Sequence, residues 1–383
     1  MTYIPTNWIT RQTITTTLMN HIEKGISDLY ANNRLNVKDF GALGNGVADD
    51  TAAIQSALDA ANSKGGGEVY FPAGVYMLSK SLTVYSYIKM VGASEFSVLI
   101  KQTNDNAGHI YAIDVRYFAI KDIAFEGLGM DSAGGGGIFL SRQNNDNTEG
   151  INFENVTVQK CAGSGITISC PITSIFTNVV CLGLVGSGFS FYGSGTSVVM
   201  NACYAITCTQ AGFDFDQLNY SVLNACAVEV CGIGYYLHHN CNNVSLIGCG
   251  AEDQIPRSSA YPGIDFQIEG GVGNTIISGY SRNNTLAGIR LMGGGKPVIL
   301  GYRQIGTCPN SIITDSSVSG AVIQGESVSS PMSLAAGTVG STGTTSNRPS
   351  VNRYIGQKYY DTTLGKPIFW NGSKWTDAVG TSV

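Results

Sequence analysis

Two sets of carboxylates are spaced as the breaking of a glycosidic bond would need them. Asp214 and Asp265 each follow a glycine and an apolar residue, in "AGFDF" and "PGIDF". Phe213 and Phe215 alternate with Asp214 and Asp216, which is strand periodicity, so the aspartates share the face opposite the phenylalanines. Matching the glycines of successive segments puts Asp214, Tyr236, Asp265 and Arg290 in one outward column, with Asp216, His238 and Gln267 beside it. Two steps between stacked strands amount to about 9.6 Å, near the upper end of the roughly 6.5–9.5 Å that admits a water in an inverting glycosidase. Tyr236 offers a ring face to a sugar, and Arg290 a guanidinium to an acidic substituent. The second set is Glu229 and Glu252, 23 residues apart and each three residues after a cysteine. One step separates them, roughly 5 Å. Carboxylates that close push one pKa upward, which suits an acid beside a nucleophile or base. The insertion "DQIPRSSAYPG" follows at 253–263, and Arg257 and Tyr261 on it are placed to wall a groove. An elimination is also open, with His238, Tyr236 or an arginine as base beside a uronic acid. The plain alternative stands beside all of these: outward Asp and Glu on strands are usually only solvated.

Such columns require a regular frame, and the middle of the chain repeats. "GGIFL", "SGITI", "SGFSF", "AGFDF", "IGYYL", "PGIDF" and "AGIRL" recur with second glycines at 137, 165, 188, 212, 234, 263 and 288. Asn155, Asn178, Asn201 and Asn224 are each 23 apart, as are Cys203, Cys226 and Cys249, and Cys208 and Cys231. A fixed period of this length signals a solenoid. Short alternating strands with Gly, Asn and Ser turns and no helix between them stack as a parallel β-helix, of around a dozen coils over roughly 36–325. The ten cysteines then read as buried ladders. The asparagines read as stacked amides or as turn residues that tolerate unusual backbone angles.

Only 13% of the residues are charged and the net charge is −5. No basic field suits nucleic acid, and no run is apolar enough to span a membrane. "MTYIPTNWITRQ" does not read as a secretory signal. There is no GxSxG, HExxH or Walker loop, and no His–Cys spacing that calls for zinc, so neither metal nor cofactor is expected. Ile14, Leu18, Ile22, Ile26 and Leu29 share one helical face, for capping or for self-association. The Gly/Ser/Thr-rich stretch 327–350 reads as a linker. Beyond it, "TTLGKP" and "WNGSKW" read as hairpin turns of a small β module. The expected organisation is a helical segment at 1–34, a β-helix at 35–326, the linker, and the module at 351–383.

The most conspicuous acidic stretch is "GALGNGVADDTAAIQSAL". Ile54, Ala57, Leu58 and Ala61 form an apolar helical face, and Asp49 or Asp50 sits where an N-cap carboxylate belongs, so the helix should lid the first coil. "NVKDFGALGNGVADDTAAIQSALDAA" followed by "GGGEVYFPAGVYML" resembles the opening of the pectate-lyase-like right-handed β-helix superfamily, which includes bacteriophage tailspikes and capsule depolymerases. "GQKYYDTTLGKPIFWNGSKW" is similar to a short module that ends many phage tail proteins. The resemblance implies an all-β, right-handed parallel β-helix in a virion tail. It also implies a homotrimer that works with other tail proteins and binds, and often cleaves, a bacterial surface polysaccharide. It carries no catalytic residues with it, because the superfamily has no universal catalytic signature. Glu229, Glu252, Asp214 and Asp265 are therefore candidates on spacing alone. So are Tyr236, His238, Arg257, Tyr261 and Arg290 as substrate-binding residues. Glu126, Asp131 and Asp146 are lesser ones.

Overall fold

The computed structural model describes residues 34–328 apart from 95, 105, 132–134, 144–147, 294–295, 316 and 319–320, and also 16, 17, 19, 20, 22, 23, 332–333, 342–348 and 355–383. Alternation builds the strands and left-handed turn residues build the corners. The result is a parallel β-solenoid of about 11 turns. A 24-stranded sheet wraps most of the coil, and a ten-stranded parallel sheet forms the remaining face. That second sheet includes Ile110–Ile113, Ile138–Ser141, Ile166–Ser169, Phe189–Tyr192, Ala211–Phe215, Ile233–Leu237, Ile264–Glu269 and Ala287–Met292.

Stacking like on like fills the core. Phe189, Phe213, Tyr235 and Phe266 lie directly above one another, with ring centroids 4.8, 4.9 and 4.9 Å apart and planes within 6°. The coil spacing imposes this parallel geometry. Burying each ring contributes about 1.5–3 kcal/mol. Tyr235 fits the column because its hydroxyl donates to the Cys226 carbonyl at 2.8 Å. All ten cysteines are free and buried, as the ladder reading expects. The thiols of Cys203, Cys226 and Cys249 each reach a carbonyl of the coil below, on Phe176, Met200 and Leu223.

The asparagine track is two ladders, not one. Asn155 and Asn178 occupy a left-handed corner at φ 52°, which Ala202 and Ala225 continue. Asn201 pairs with Thr177, one residue earlier, and forms a separate amide ladder with Asn224. The coil containing Asn201 is one residue longer, so identical spacing hides a change of position.

The helix Thr51–Ser63 buries Ile54, Ala57, Leu58 and Ala61 against the first coils, as its pattern predicts. Asp50 is the N-cap by position, yet its carboxylate makes no cap bond. It accepts the Leu43 and Gly44 amides instead, at 2.6 and 3.1 Å. Asp49 accepts the Thr51 amide and the Ser79 hydroxyl. Both aspartates therefore tie the glycine loop and the helix start together. Gly44 is required there: its φ is +59° and a Cβ would lie 2.8 Å from the Tyr76 ring.

At the other end, Lys358–Asp361, Lys366–Trp370 and Trp375–Thr376 form two successive antiparallel hairpins around Tyr359, Ile368, Trp370 and Trp375. Both expected turns are present. Near the N-terminus, Thr16, Thr17, Met19, Asn20, Ile22 and Glu23 are helical. The rest of the helix expected over 14–29 lies outside the described residues.

Candidate functional site

The ten-stranded face carries one continuous outward column. Strand register runs Tyr111, Phe139, Thr167, Ser190, Asp214, Tyr236, Gln267 and Arg290, one residue per coil. Asp265 is not in it, which corrects the expected column. Ile233 pairs with Ile264 and Tyr235 with Phe266, so Asp265 takes the place of Gly234. Gly263 is not the equivalent of the earlier glycines, because the insertion 253–263 displaces it. The Asp265 side chain is fully buried. It accepts hydrogen bonds from Ser281 and Asn284, while Oδ1 has no partner. Burial pushes its pKa well above the ordinary aspartate range, against the two hydrogen bonds. Inside the coil it can touch no polymer outside.

What the face brings together is Asp214, Tyr236 and His238, with Tyr261 alongside. Asp214 Oδ1 lies 2.8 Å from His238 Nε2, and Oδ2 accepts from the Ser187 hydroxyl at 2.9 Å. The Tyr236 and His238 rings stack 3.7 Å apart. The Tyr236 hydroxyl donates to Glu269 Oε1 at 2.7 Å, and Gln267 donates to the same oxygen at 2.8 Å. His239 approaches Glu269 Oε2 at 3.3 Å. Burial disfavours a charged His238, but the Asp214 hydrogen bond and the charges of Asp214, Glu269 and Asp216 outweigh it, and its pKa is raised. Burial first, and then the Glu269 hydrogen bond, raise the Tyr236 hydroxyl, which stays neutral at ordinary pH. Tyr261 is raised by burial and by the charge of Asp214, whose field it shares. Its loop folds back over the preceding coil: a Cβ on Gly232 would lie 2.6 Å from that of Tyr261.

The remaining candidates lie outside this cluster, Arg290 alone of them in the same column. Glu229 and Glu252 pair in adjacent coils of the larger sheet, a step apart as expected. Glu252 is held by Arg282 at 3.2 Å, and Glu229 hydrogen-bonds the Tyr204 hydroxyl. Arg257 reaches the Val230 carbonyl at 3.5 Å on the corner between the two sheets. Arg290 is two steps along the column from Tyr236. Glu126 is clamped between Lys101 and Lys160 at 2.7 and 3.0 Å, Asp131 is exposed, and Asp146 lies outside the described residues. Among the described residues no group of three His, Cys, Asp or Glu side chains is arranged to hold a metal. Glu269 is the residue that sequence reasoning missed. Two positions after Gln267 in "IDFQIE", it is legible once that strand is aligned on "IGYYL".

Sequence relatives and solved structures agree with this architecture. Mannuronan C5-epimerase AlgE1 of Azotobacter vinelandii is 43% identical over 106 residues, 24% of this chain and 8% of that protein. The chain thus aligns with only a small part of such relatives. ORF18 of Geobacillus virus E2 superposes with a TM-score of 0.62 at 19% identity, over 81% of this chain and 66% of that one. The enzymatically active domain of bacteriophage CBA120 tailspike protein 2 also gives 0.62, at 16% identity, over 75% of this chain and 47% of that one. The fold is therefore the one that phage tailspikes use. Residues 34–253, more than half of the 383, match the family model for rhamnogalacturonase A/epimerase, pectate lyase-like proteins. The chain belongs to that pectate-lyase-like β-helix family.

Proposed function

We propose that the chain binds a uronic-acid-containing polysaccharide of a bacterial surface along its ten-stranded face, and cleaves it by elimination at His238 and Tyr236. One observation carries this reading: two stacked rings, each hydrogen-bonded to its own carboxylate, Asp214 for His238 and Glu269 for Tyr236. Carboxylates engaged as orienting partners leave the rings as the proton-transfer groups. Of the two carboxylate pairs that hydrolysis could use, Asp214 loses Asp265 to burial, and in the other Glu252 is held by Arg282.

With the Nε2–H directed at Asp214, neutral His238 takes the C5 proton of a uronate through Nδ1. The C5–H electrons form the C4–C5 double bond and the C4–O bond breaks. Tyr236 turns its hydroxyl hydrogen from Glu269 to the leaving oxygen, and the proton on His238 restores the tyrosine by way of solvent. Arg290, farther along the column, is the cation for the uronate carboxylate. The epimerase relatives act, by name, at C5 of mannuronan, which supports proton chemistry at that carbon. Shared fold with tailspikes supports a place in a virion tail as a homotrimer, with 1–34 and 351–383 flanking the 35–326 β-helix for assembly with other tail proteins.

A non-catalytic receptor-binding spike is the second reading. It is favoured by closure of the network, since both Asp214 oxygens already have partners. The test is incubation with a panel of purified capsular and cell-wall polysaccharides. Oligosaccharides with ultraviolet-absorbing unsaturated ends, lost in His238→Gln while binding persists, are expected. New reducing ends without that absorbance would mean hydrolysis, and binding with neither product would mean a binder.

A further inference from the structure

A cleft of about 290 Å³ opens at the N-terminal end of the same face. Its floor is an aromatic shelf: Tyr111 and Phe139 stack in successive coils with centroids 5.4 Å apart and planes within 6°. This pair points outward, unlike the core rings. Tyr111 is 49% exposed, while Ile110 and Ala112 on either side of it are buried. Glycines 108, 136 and 163 keep the rim low, and Ser81, Ser164 and Thr167 place hydroxyl groups around it. A flat apolar floor ringed by hydroxyls and main chain is what the CH face and edge hydroxyls of a pyranose require.

The shelf and the His238 cluster are not separate surfaces. Phe139, Thr167, Ser190 and Asp214 are consecutive members of one column. Three coil steps, about 14 Å, separate the shelf from Asp214. A sugar residue in an extended chain advances by about as much as one coil, so a polymer lying along the solenoid axis meets both. We propose that Tyr111 and Phe139 form a sugar-stacking subsite that fixes the polysaccharide parallel to the axis, a few residues from the bond presented to His238. This rests on the polysaccharide reading above and adds a site, a direction and a minimum ligand length to it.

The test is affinity electrophoresis of the full chain through gels containing each purified bacterial polysaccharide of the panel, with wild type, Tyr111→Ala, Tyr111→Phe and the Tyr111→Ala/Phe139→Ala pair. Tyr111 is half exposed, so its variants should fold, and unchanged circular dichroism checks this. The expected result is that the double variant binds about tenfold or more weakly and Tyr111→Phe as wild type. Wild-type affinity in the double variant, on a polysaccharide that wild type binds and cleaves, overturns the shelf and leaves the proposed function standing. Failure of wild type to be retarded by any polysaccharide overturns both.

Discussion

Replacing Asp265 tests the most unexpected placement in the chain. It fills a glycine position of the ladder, with Gly234 before it and Gly288 after it. Its folded-state pKa is raised by burial, so the folded protein binds a proton that the unfolded chain gives up near 3.8. The sign follows. Stability from this group is complete below that value and is lost as pH rises through the raised folded value. Asp265→Asn keeps the shape and cannot titrate, so it should remove that fall and be the more stable form at alkaline pH. Asp265→Gly restores the ladder residue but strands the Ser281 hydroxyl and the Asn284 amide, at about 1–3 kcal/mol each. Deleting the unpaired Oδ1 returns roughly one such amount, and the emptied volume takes some of it away again. The net cost should be about 2–4 kcal/mol. Urea midpoints by circular dichroism, measured for all three forms across acid to alkaline pH, read both effects. The reasoning is refuted if Asp265→Asn keeps the wild-type pH dependence, or if Asp265→Gly matches wild-type stability.

Elimination needs neutral His238, so the rate should rise with pH through its raised pKa, and Asp214→Asn should shift that rise toward acid; an unmoved profile removes Asp214 from its orienting role. His238→Gln should lower kcat roughly a hundred- to ten-thousand-fold in a product-release assay. Glu252→Gln loses only a half-exposed ion pair with Arg282, so activity should persist and stability change by about 0–1 kcal/mol; a large loss of activity would move the chemistry to the larger sheet. In the C-terminal module, Arg348 bonds the fully buried Asp361 carboxylate at 2.6 Å. Arg348→Ala removes that cation, while the Thr345 hydroxyl and the Thr363 and Leu364 amides still donate to the carboxylate, so the cost should be about 1.5–3 kcal/mol, read from tryptophan fluorescence on unfolding. All ten thiols should resist a water-soluble disulfide reagent in the folded protein and react on denaturation; rapid labelling of Cys226 or Cys249 would contradict their burial.

The sequence by itself determined the solenoid, the burial of its cysteines, the capping helix and the two C-terminal hairpins. Each depends on periodicity or on local turn chemistry, and a period of 2 within one of about 23 leaves little freedom. It also brought Asp214, Tyr236 and His238 together, because the coils at 212 and 234 differ by one short step and no insertion intervenes. Register across an insertion was not legible. Eleven residues at 253–263 shifted the next strand by two positions against its glycine mark, which moved Asp265 from the outward column to the buried glycine place before it and set Gln267 beside Tyr236, with Glu269 two positions on. A strand's side chains alternate, so a shift by an even number preserves the in–out pattern while changing which residue is neighbour to which. The tertiary structure alone decided that, since only the hydrogen-bond ladder between coils, and the space inside them for one aspartate with its Ser281 and Asn284 partners, selects between registers that the pattern treats as equal.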